Sequence, residues 1–279
     1  MTAIVAIASD LHVNSTIGLC NPKHALDDGS SISPSASQLW LWNQVWLPFW
    51  ERVKATAKRE KAKKIYLVSL GDLGDINKHS QAQLFTINEG CVVDAMFNAL
   101  EPSFGIVTEY IVVRGTEAHN GPGCFLEEVT ANMLAKAGHK VLRDEATDAY
   151  SHWFLEVSFE GVNCVFAHHP GTSSSRPWTQ GGGANRKAAW LTYDYYGKEW
   201  KPQVGFFGHV HHNEDSLDNH PVRAIYARPM SFYTAYDHRL GHTARGARVG
   251  AMLMVAREGQ ICSLEKVYHS LPTKSPVTL

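Results

Sequence analysis

Carboxylate and imidazole side chains follow three apolar runs of this sequence, at positions where a buried strand would end. Asp10 and His12 follow IVAIAS, Asp72 follows IYLVSLG, and His209 and His211 lie in GFFGHVHH. Runs of Val, Ile, Leu and Phe are typical of buried strands, and open α/β folds bind ligands at the carboxyl ends of their strands. Carboxylate oxygen and imidazole nitrogen together suit a divalent metal ion. The pattern therefore predicts a metal site and, with it, a metallohydrolase.

Two further segments have the same form. CVFAHHPG offers His168 or His169, and VVRGTEAHNG carries Glu117 and His119. Two ions about 3.5–4 Å apart need a carboxylate between them to offset their repulsion, and Asp72 is the natural bridge because a glycine precedes it. Such ions activate a bridging water and polarise a phosphoryl oxygen, so that an in-line displacement proceeds without a covalent intermediate.

Ligands spaced two residues apart indicate how two ions would share the side chains. Asp10 and His12 project to the same side of an extended segment and could bind one ion together. His209 and His211 have the same spacing, and each could face a different ion. His168 or His169 would complete the second site.

The ordered set DLH, GDLGD, HHPG and GHVHH, which spans residues 8–212, resembles the calcineurin-like metallophosphoesterases. That superfamily includes the Mre11/SbcD nucleases, cyclic-nucleotide phosphodiesterases, purple acid phosphatases and Ser/Thr protein phosphatases. The resemblance implies a four-layer αββα sandwich of two mixed β-sheets flanked by helices, with two divalent metal ions, of which Mn is the first expectation and Fe or Zn the alternatives. It also implies two ligand sets: Asp10, His12, Asp72 and His211 for the first ion, and Asp72, His168 and His209 for the second.

One segment departs from the superfamily pattern. Gly-Asn-His-Asp/Glu is usual, with the Asn as a metal ligand and the His as the proton donor to the leaving group. Here Gly115 is followed by Thr116, Glu117, Ala118 and His119. His119 could still be the general acid on a longer turn, or His119 or Glu117 could replace the Asn as a ligand. Asp75 is expected to orient a ligand rather than to bind metal.

The composition predicts a cytoplasmic enzyme. The chain has 279 residues, and 26 Lys and Arg balance 27 Asp and Glu, so no global basic field favours long nucleic acid. Five scattered cysteines without a CxxC pair indicate reduced thiols rather than a disulfide framework. Neither a secretory segment nor an 18-residue apolar span is evident, so no membrane partner is expected.

The order of apolar periods predicts a single domain over residues 1–270, with a flexible tail at 271–279. Strands are predicted at 2–8, 65–70, 109–113, 204–207, 222–227 and 249–256, and helices at 36–62, 79–100 and 124–137. A hairpin should turn at Glu160-Gly161, and a last hairpin should end near Tyr268. Strand–helix alternation followed by hairpins predicts two mixed sheets packed face to face with helices outside.

Two segments without clear periodicity are expected to be active-site loops, at 13–35 and 173–200. The second carries Arg176 and Arg186, which could bind a substrate phosphate, and Trp178, which could stack on a base or aryl group. An ordinary surface loop is the alternative. The aromatic stripe from Trp40 to Trp50 is predicted to be core packing rather than a base-stacking platform.

Three functions are compatible with these residues. The first is a phosphoesterase that hydrolyses a phosphomonoester or phosphodiester, such as a nucleotide, by attack of a metal-bridging hydroxide. The second is an SbcD-like nuclease acting on DNA or RNA ends, which the near-neutral charge disfavours. The third is a non-catalytic metal-binding member, which the intact ligand set disfavours. The oligomeric state stays open.

Overall fold

Two mixed β-sheets form the centre of the protein, and the computed structural model describes residues 1–76, 83–171, 179, 181–233 and 248–272. The strands are β1 (Thr2–Ala8), β2 (Lys64–Leu70), β3 (Glu109–Val113), β4 (Ser151–His152), β5 (Phe154–Phe159), β6 (Val162–Ala167), β7 (Val204–Phe207), β8 (Glu214–Asp215), β9 (Arg223–Tyr226), β10 (Arg248–Arg257) and β11 (Gln260–Ser270). The first sheet has the order β11-β10-β1-β2-β3-β4, and the second has the order β5-β6-β7-β9-β8.

Helices cover the outer faces of both sheets. They are α1 (Ala36–Trp40), a π-helical stretch (Leu41–Trp46), α2 (Leu47–Glu60), α3 (Glu89–Ala99), α4 (Glu117–Asn120), α5 (Phe125–Lys136) and α6 (Gly182–Asp194), with short 3₁₀ turns at Glu101–Ser103 and Pro122–Cys124. Helices α1, α2, α3 and α5, with the π-helical stretch, pack on the first sheet, and α6 packs on β8 and β9 of the second. The predicted αββα sandwich is therefore confirmed.

The pattern of β1 shows why this strand lies at the centre of the layers. Its odd-numbered residues from Ala3 to Ile7 face the core between the sheets, and its even-numbered residues from Ile4 to Ala8 pack against the helices. Every residue of this stretch is buried. A strand buried on both faces must be apolar throughout, as its sequence is.

The carboxyl ends of the parallel strands meet at one edge of the sandwich. β1, β2, β3 and β4 run parallel in the first sheet, as do β6, β7 and β9 in the second. A bridge between Ser9 and Pro229 and a hydrogen bond of 2.8 Å from His168 Nδ1 to the carbonyl of Leu70 join the sheets at this edge. The segments that follow these strands are thereby brought together.

The predicted helix at 36–62 begins and ends within two residues of its expected bounds, but its middle is a π-helical stretch. Ser35 and Gln38 form a capping box, in which each side chain accepts a hydrogen bond from the backbone of the other. The aromatic stripe of this helix is confirmed as core packing, because the side chains of Trp46, Phe49 and Trp50 are at most 1% exposed.

The helix predicted at 79–100 is shorter than expected. In the described part of this range it begins at Glu89, after Asn88, whose side chain accepts hydrogen bonds from the amides of Gly90 and Cys91. Before this cap the chain is extended, because Gln83 and Phe85 exchange backbone hydrogen bonds with the loop that follows β1. Tertiary pairing therefore overrides the local preference for a helix.

The loop predicted at 173–200 is wrong over residues 182–194, which form α6. Ala184, Ala188 and Leu191, at helical spacing, are buried against the second sheet. Residues 172–178 and 180 lie outside the described residues, so the prediction for Arg176 is untested. Leu271, the first residue of the predicted tail, is buried in the core between the first sheet and its helices, and residues 273–279 lie outside the described residues.

The hairpin predicted at Glu160-Gly161 is confirmed. Both residues have positive φ, of 48° and 86°, as a tight two-residue hairpin turn requires. All five cysteines are free thiols. Across the described ranges, no helix combines the length and apolarity needed to cross a membrane.

The capping box supplies a stability test. Ser35→Ala should lower the free energy of unfolding by about 1 kcal/mol, because it leaves the amide of Gln38 without its acceptor. Ser37→Ala is the matched control, since Ser37 is exposed inside α1 and alanine favours the helix. Urea denaturation of both variants measures the difference, and equal effects would contradict the assignment of Ser35 as the cap.

Candidate metal centre

Seven carboxylate and imidazole side chains converge where the strands end. Their potential ligand atoms form three groups, in each of which all atoms lie within 4.8 Å of one another. The groups are Asp10, His12 and His211; His12, Asp72 and His119; and Asp72, His168 and His209. Because His12 and Asp72 each belong to two groups, the three groups form one continuous cluster.

The backbone of this cluster is strained in a consistent way. Five of its members have left-handed φ values between 46° and 70°: Asp10, His12, Asp72, His209 and His211. Such conformations cost about 1–3 kcal/mol each for residues other than glycine, and they concentrate at functional sites. The tight turns after β1, β2 and β7 direct these side chains toward a common point instead of continuing the strands.

Asp72 is held by hydrogen bonds from the segment after β3 and by the imidazole that follows β6. Its Oδ1 accepts hydrogen bonds from the amide of Thr116 (2.6 Å) and from Asn120 Nδ2 (3.0 Å). Its Oδ2 lies 3.0 Å from His168 Nε2. Gly115 is required here, because a Cβ at this position would lie 2.2 Å from Asp72 N and Oδ1. Asp72 therefore has a fixed orientation at the centre of the cluster.

The tautomer of His168 is set by the backbone. The carbonyl of Leu70 can only accept, so His168 Nδ1 donates this hydrogen bond of 2.8 Å. The other nitrogen, Nε2, faces Asp72 at 3.0 Å and Asp10 at 3.8 Å. This arrangement, with one ring nitrogen fixed by a carbonyl and the other turned to a carboxylate cluster, is typical of metal-ligating histidines.

Unsatisfied polar atoms indicate that the residues present fit divalent ions. Asp10 Oδ1 and His12 Nδ1 are buried and have no hydrogen-bond partner of acceptable geometry within the described chain. His12 Nε2 and His211 Nε2, two potential lone-pair donors, face each other at 3.2 Å. The Nε2 atoms of His211 and His168 lie 3.2 and 3.8 Å from Asp10 Oδ1. A cation among these carboxylate and imidazole atoms would offset the cost of burying them.

The two central carboxylates depend on His168 for their charge. Burial opposes ionisation of Asp10 and Asp72, but the charge of His168 is the largest opposing influence and keeps both pKa values below the usual range. Conversely, burial opposes protonation of His168, but Asp72 and Asp10 outweigh it and raise the pKa of His168 to about 10. In protein without metal, one proton on His168 therefore occupies the position between the two carboxylates.

The pKa values of two other imidazoles are lowered instead of raised. Burial, with the neighbouring His119 and His211, lowers the pKa of His12 to about 4. Burial, with His168, lowers the pKa of His209 to about 4. Both side chains are neutral at physiological pH, as metal ligands must be.

His119 lies beside Asp75 at the open side of the cluster. His119 Nδ1 is 3.0 Å from Asp75 Oδ1, and the His119 side chain is 28% exposed. Burial lowers the pKa of His119, but the hydrogen bond to Asp75 and the charge of Asp72 outweigh it, so that the pKa lies above its usual value. Asp75 thus contacts a member of the cluster, as expected of an orienting residue.

Glu117 and Arg186, also predicted as site residues, lie outside the three groups. Glu117 Oε1 accepts a hydrogen bond of 2.9 Å from the amide of Gly123, which fixes the turn after α4. The candidate role of Glu117 as a metal ligand finds no support in this geometry. Arg186 lies on α6 with Trp190 and Tyr193, along a surface groove of about 440 Å³. Of the adjacent histidines, His168 joins the cluster and His169 is exposed.

Two residues of the departing segment were missed by the sequence reasoning. Thr116 and Asn120 both contact Asp72, and Asn120 Oδ1 also accepts a hydrogen bond from the amide of Gly74 (3.2 Å). Their spacing of four residues could have indicated them, because residues four apart lie on the same face of a helix such as α4. Asn120 is fully buried.

Glu127 on α5 was also missed. Its carboxylate accepts hydrogen bonds from the amides of Leu73 (3.1 Å) and Gly115 (2.6 Å). Burial and the charge of Asp72 raise the pKa of Glu127 to about 8. No local pattern identifies it, because its partners belong to two loops that are distant along the chain.

No protein-family model matches the sequence, and no curated protein matches it. Solved structures with a similar chain path include Vps29 from Chaetomium thermophilum, at 15% identity and a TM-score of 0.39, with 96% of this chain and 99% of that chain covered. The NAD nucleotidase NadN from Haemophilus influenzae is similar at 11% identity and a TM-score of 0.38, over 97% of this chain and 50% of that chain. The hypothetical protein PH1004 from Pyrococcus horikoshii is similar at 9% identity and a TM-score of 0.42, over 98% and 89%. Similarity at this level transfers no activity, so the case for function depends on the side chains themselves.

The raised pKa of His168 leads to a prediction of how the stability of the metal-free protein depends on pH. A folded pKa of about 10 against about 6.5 when unfolded stabilises the protein below pH 6.5, and this contribution is lost as pH rises toward 10. His12 and His209, with pKa values lowered to about 4, remove stability as pH falls from 6.5 toward 4. The melting temperature of chelator-treated protein should therefore be highest near pH 6.5.

Thermal melts of His168→Asn and His169→Asn test whether His168 causes the decrease in melting temperature at alkaline pH. His168→Asn should flatten the melting temperature between pH 8 and pH 9, above the range in which Glu127 loses its proton, because the group that titrates there is gone. His169→Asn should keep the wild-type slope, since its neighbour His168 is unchanged. An alkaline slope that persists without His168 would contradict the assignment.

Proposed function

We propose that this protein is a metal-dependent phosphoesterase that hydrolyses a phosphomonoester or phosphodiester with two divalent ions. The main observation in support of this proposal is the continuous cluster of three ligand groups that share His12 and Asp72. Two positive ions within one cluster need a shared carboxylate, and Asp72 is the shared carboxylate here. When bound, the ions would activate a water molecule and stabilise negative charge on a phosphoryl group.

The ligands divide around Asp72. Asp10, His12 and His211 would hold one ion with Asp72, and His168 and His209 would hold the other. The neutral state of His12 and His209 supports this division, because imidazole binds metal only when deprotonated. Mn²⁺ is the metal we propose, since a mixture of carboxylate and imidazole suits it, and Fe or Zn are the alternatives.

His119 is proposed as the general acid that protonates the leaving group. It has the properties that this role requires: partial exposure, a carboxylate partner in Asp75, and a pKa raised above its usual value, so that it holds a proton near neutral pH. Asp75 would fix the ring through Nδ1 and leave Nε2 to donate. The shift of His119 relative to the superfamily pattern is then accommodated by α4.

Metal content and a substrate panel test the proposed function. With Mn²⁺ the protein should bind two ions and hydrolyse an aryl phosphodiester or an aryl phosphomonoester. Asp10→Asn is the inactive control that excludes a contaminating phosphatase, because it removes a buried ligand. Elemental analysis and initial rates measure both outcomes.

The same panel identifies the competing functions. Cleavage of labelled single-stranded DNA without turnover of either small ester would replace the proposal with a nuclease. Metal binding without any turnover would indicate a non-catalytic binding protein. Failure to bind metal would overturn the proposal altogether.

The role of His119 is separable from metal binding. His119→Ala should slow an ester with a poor leaving group by about 100-fold or more, but an activated nitrophenyl ester by far less, because only the poor leaving group needs the proton. Metal content should not change. If metal is lost instead, His119 is a ligand and the proton donor lies elsewhere.

His220→Ala is the matched control for this substitution. His220 lies in the turn before β9, at the amino end of that strand and so at the opposite edge from the cluster. Its substitution should leave both rates within about twofold of the wild type.

A further inference from the structure

Glu127 is a buried carboxyl group that forms no ion pair within the described residues. It lies on α5 and is 0% exposed. Its hydrogen bonds come from two backbone amides, those of Leu73 and Gly115. Burying a carboxyl group that has no ion pair is costly in either protonation state, and an apolar or amide side chain would serve the packing of α5 at lower cost. Packing alone therefore does not account for a carboxylate at this position.

The two amides belong to the loops that hold Asp72. Leu73 directly follows Asp72, and Gly115 directly precedes Thr116, whose amide donates to Asp72 Oδ1 at 2.6 Å. Gly115 is also in such close contact that a Cβ there would lie 2.2 Å from Asp72. Glu127 thus joins the loop after β2 to the loop after β3 at the point where both touch Asp72.

The position of Glu127 between these two loops indicates its role. We propose that Glu127 is a positioning residue of the metal centre, which holds Asp72 in the orientation that lets its carboxylate serve two ions at once. Glu127 acts through Leu73 and Gly115 and does not itself bind metal. Divalent ions beside Asp72 also offset the cost of a further buried carboxylate nearby, which explains why an acid is kept there.

This inference rests on the proposed function only in requiring that the cluster binds metal. It predicts that Glu127→Gln weakens Mn²⁺ binding by about tenfold or more, because the amide side chain can accept from only one of the two backbone donors and the orientation of Asp72 is relaxed. The affinity for the second ion, the one assigned to Asp72, His168 and His209, should fall most. Equilibrium dialysis gives the affinities, and electron paramagnetic resonance distinguishes a coupled Mn²⁺ pair from isolated Mn²⁺.

Glu128→Gln is the matched control. Glu128 is the next residue of α5, and its carboxylate also accepts hydrogen bonds from a backbone amide, that of Tyr150, at 3.0 and 3.1 Å. Those contacts serve β4 instead of the loops around Asp72. Glu128→Gln should therefore keep the affinity for Mn²⁺ within about twofold and keep the spectrum of the coupled pair, whatever its effect on the melting temperature.

The outcomes separate this inference from the proposed function. If the wild type binds two ions and Glu127→Gln binds both equally well, the positioning role is wrong and the phosphoesterase proposal stands. If the wild type binds no metal, the proposed function fails first. Should Glu127→Gln not fold, Glu127→Asp decides by the same measurements, because it keeps the charge but shortens the reach, and unchanged affinity there would also overturn the role.

Discussion

The interaction on which the site depends is the burial of two carboxylates, Asp10 and Asp72, beside the single imidazole of His168. Asp10 and Asp72 are at most 1% exposed, so neither is hydrated enough to keep its charge without a partner. His168 lies 3.0 Å from Asp72 and 3.8 Å from Asp10 and supplies that partner when no metal is bound. An ion bound at the cluster, as proposed, would therefore compete with the proton on His168 for the same position.

This requirement explains several costly features of the fold. The strand ends must approach so closely that a side chain at Gly71 would lie 2.4 Å from His168. Five members of the cluster adopt left-handed backbone conformations that stable strands avoid. The apolar layers on both faces of the first sheet, and α6 on the second, supply the burial that offsets such strain. Local strain at the edge and a well-packed interior are parts of one arrangement.

The segment after β3 supports the cluster from one short helix. Thr116 and Asn120 hold Asp72 from opposite ends of α4, and Glu127 fixes the loops on either side. His119 projects from the same short helix toward Asp75. One helical turn thereby supplies two contacts to Asp72 and an imidazole to the cluster.

The sequence by itself determined the strands and the candidate ligands. Apolar runs such as β1 and β2 are buried on both faces, and a polar residue at the end of such a run can lie only where the strand meets solvent. The αββα layering followed from the order of strands and helices and from the resemblance to a known superfamily. Asp10, Asp72 and His209 could be singled out in this way because a single small residue separates each from an apolar run.

Tertiary structure alone decided the rest. The start of α3 depends on pairing with a distant loop, and α6 depends on burial against β8 and β9, where the amide of Ala184 donates to Glu214. Glu117 and Glu127 are both acids near the same motif, yet only Glu127 reaches the loops around Asp72. Periodicity reports which residues are buried, but it cannot report which distant partner a buried side chain meets. That choice is made by sheet register and helix packing, which bring residues far apart along the chain within hydrogen-bond distance.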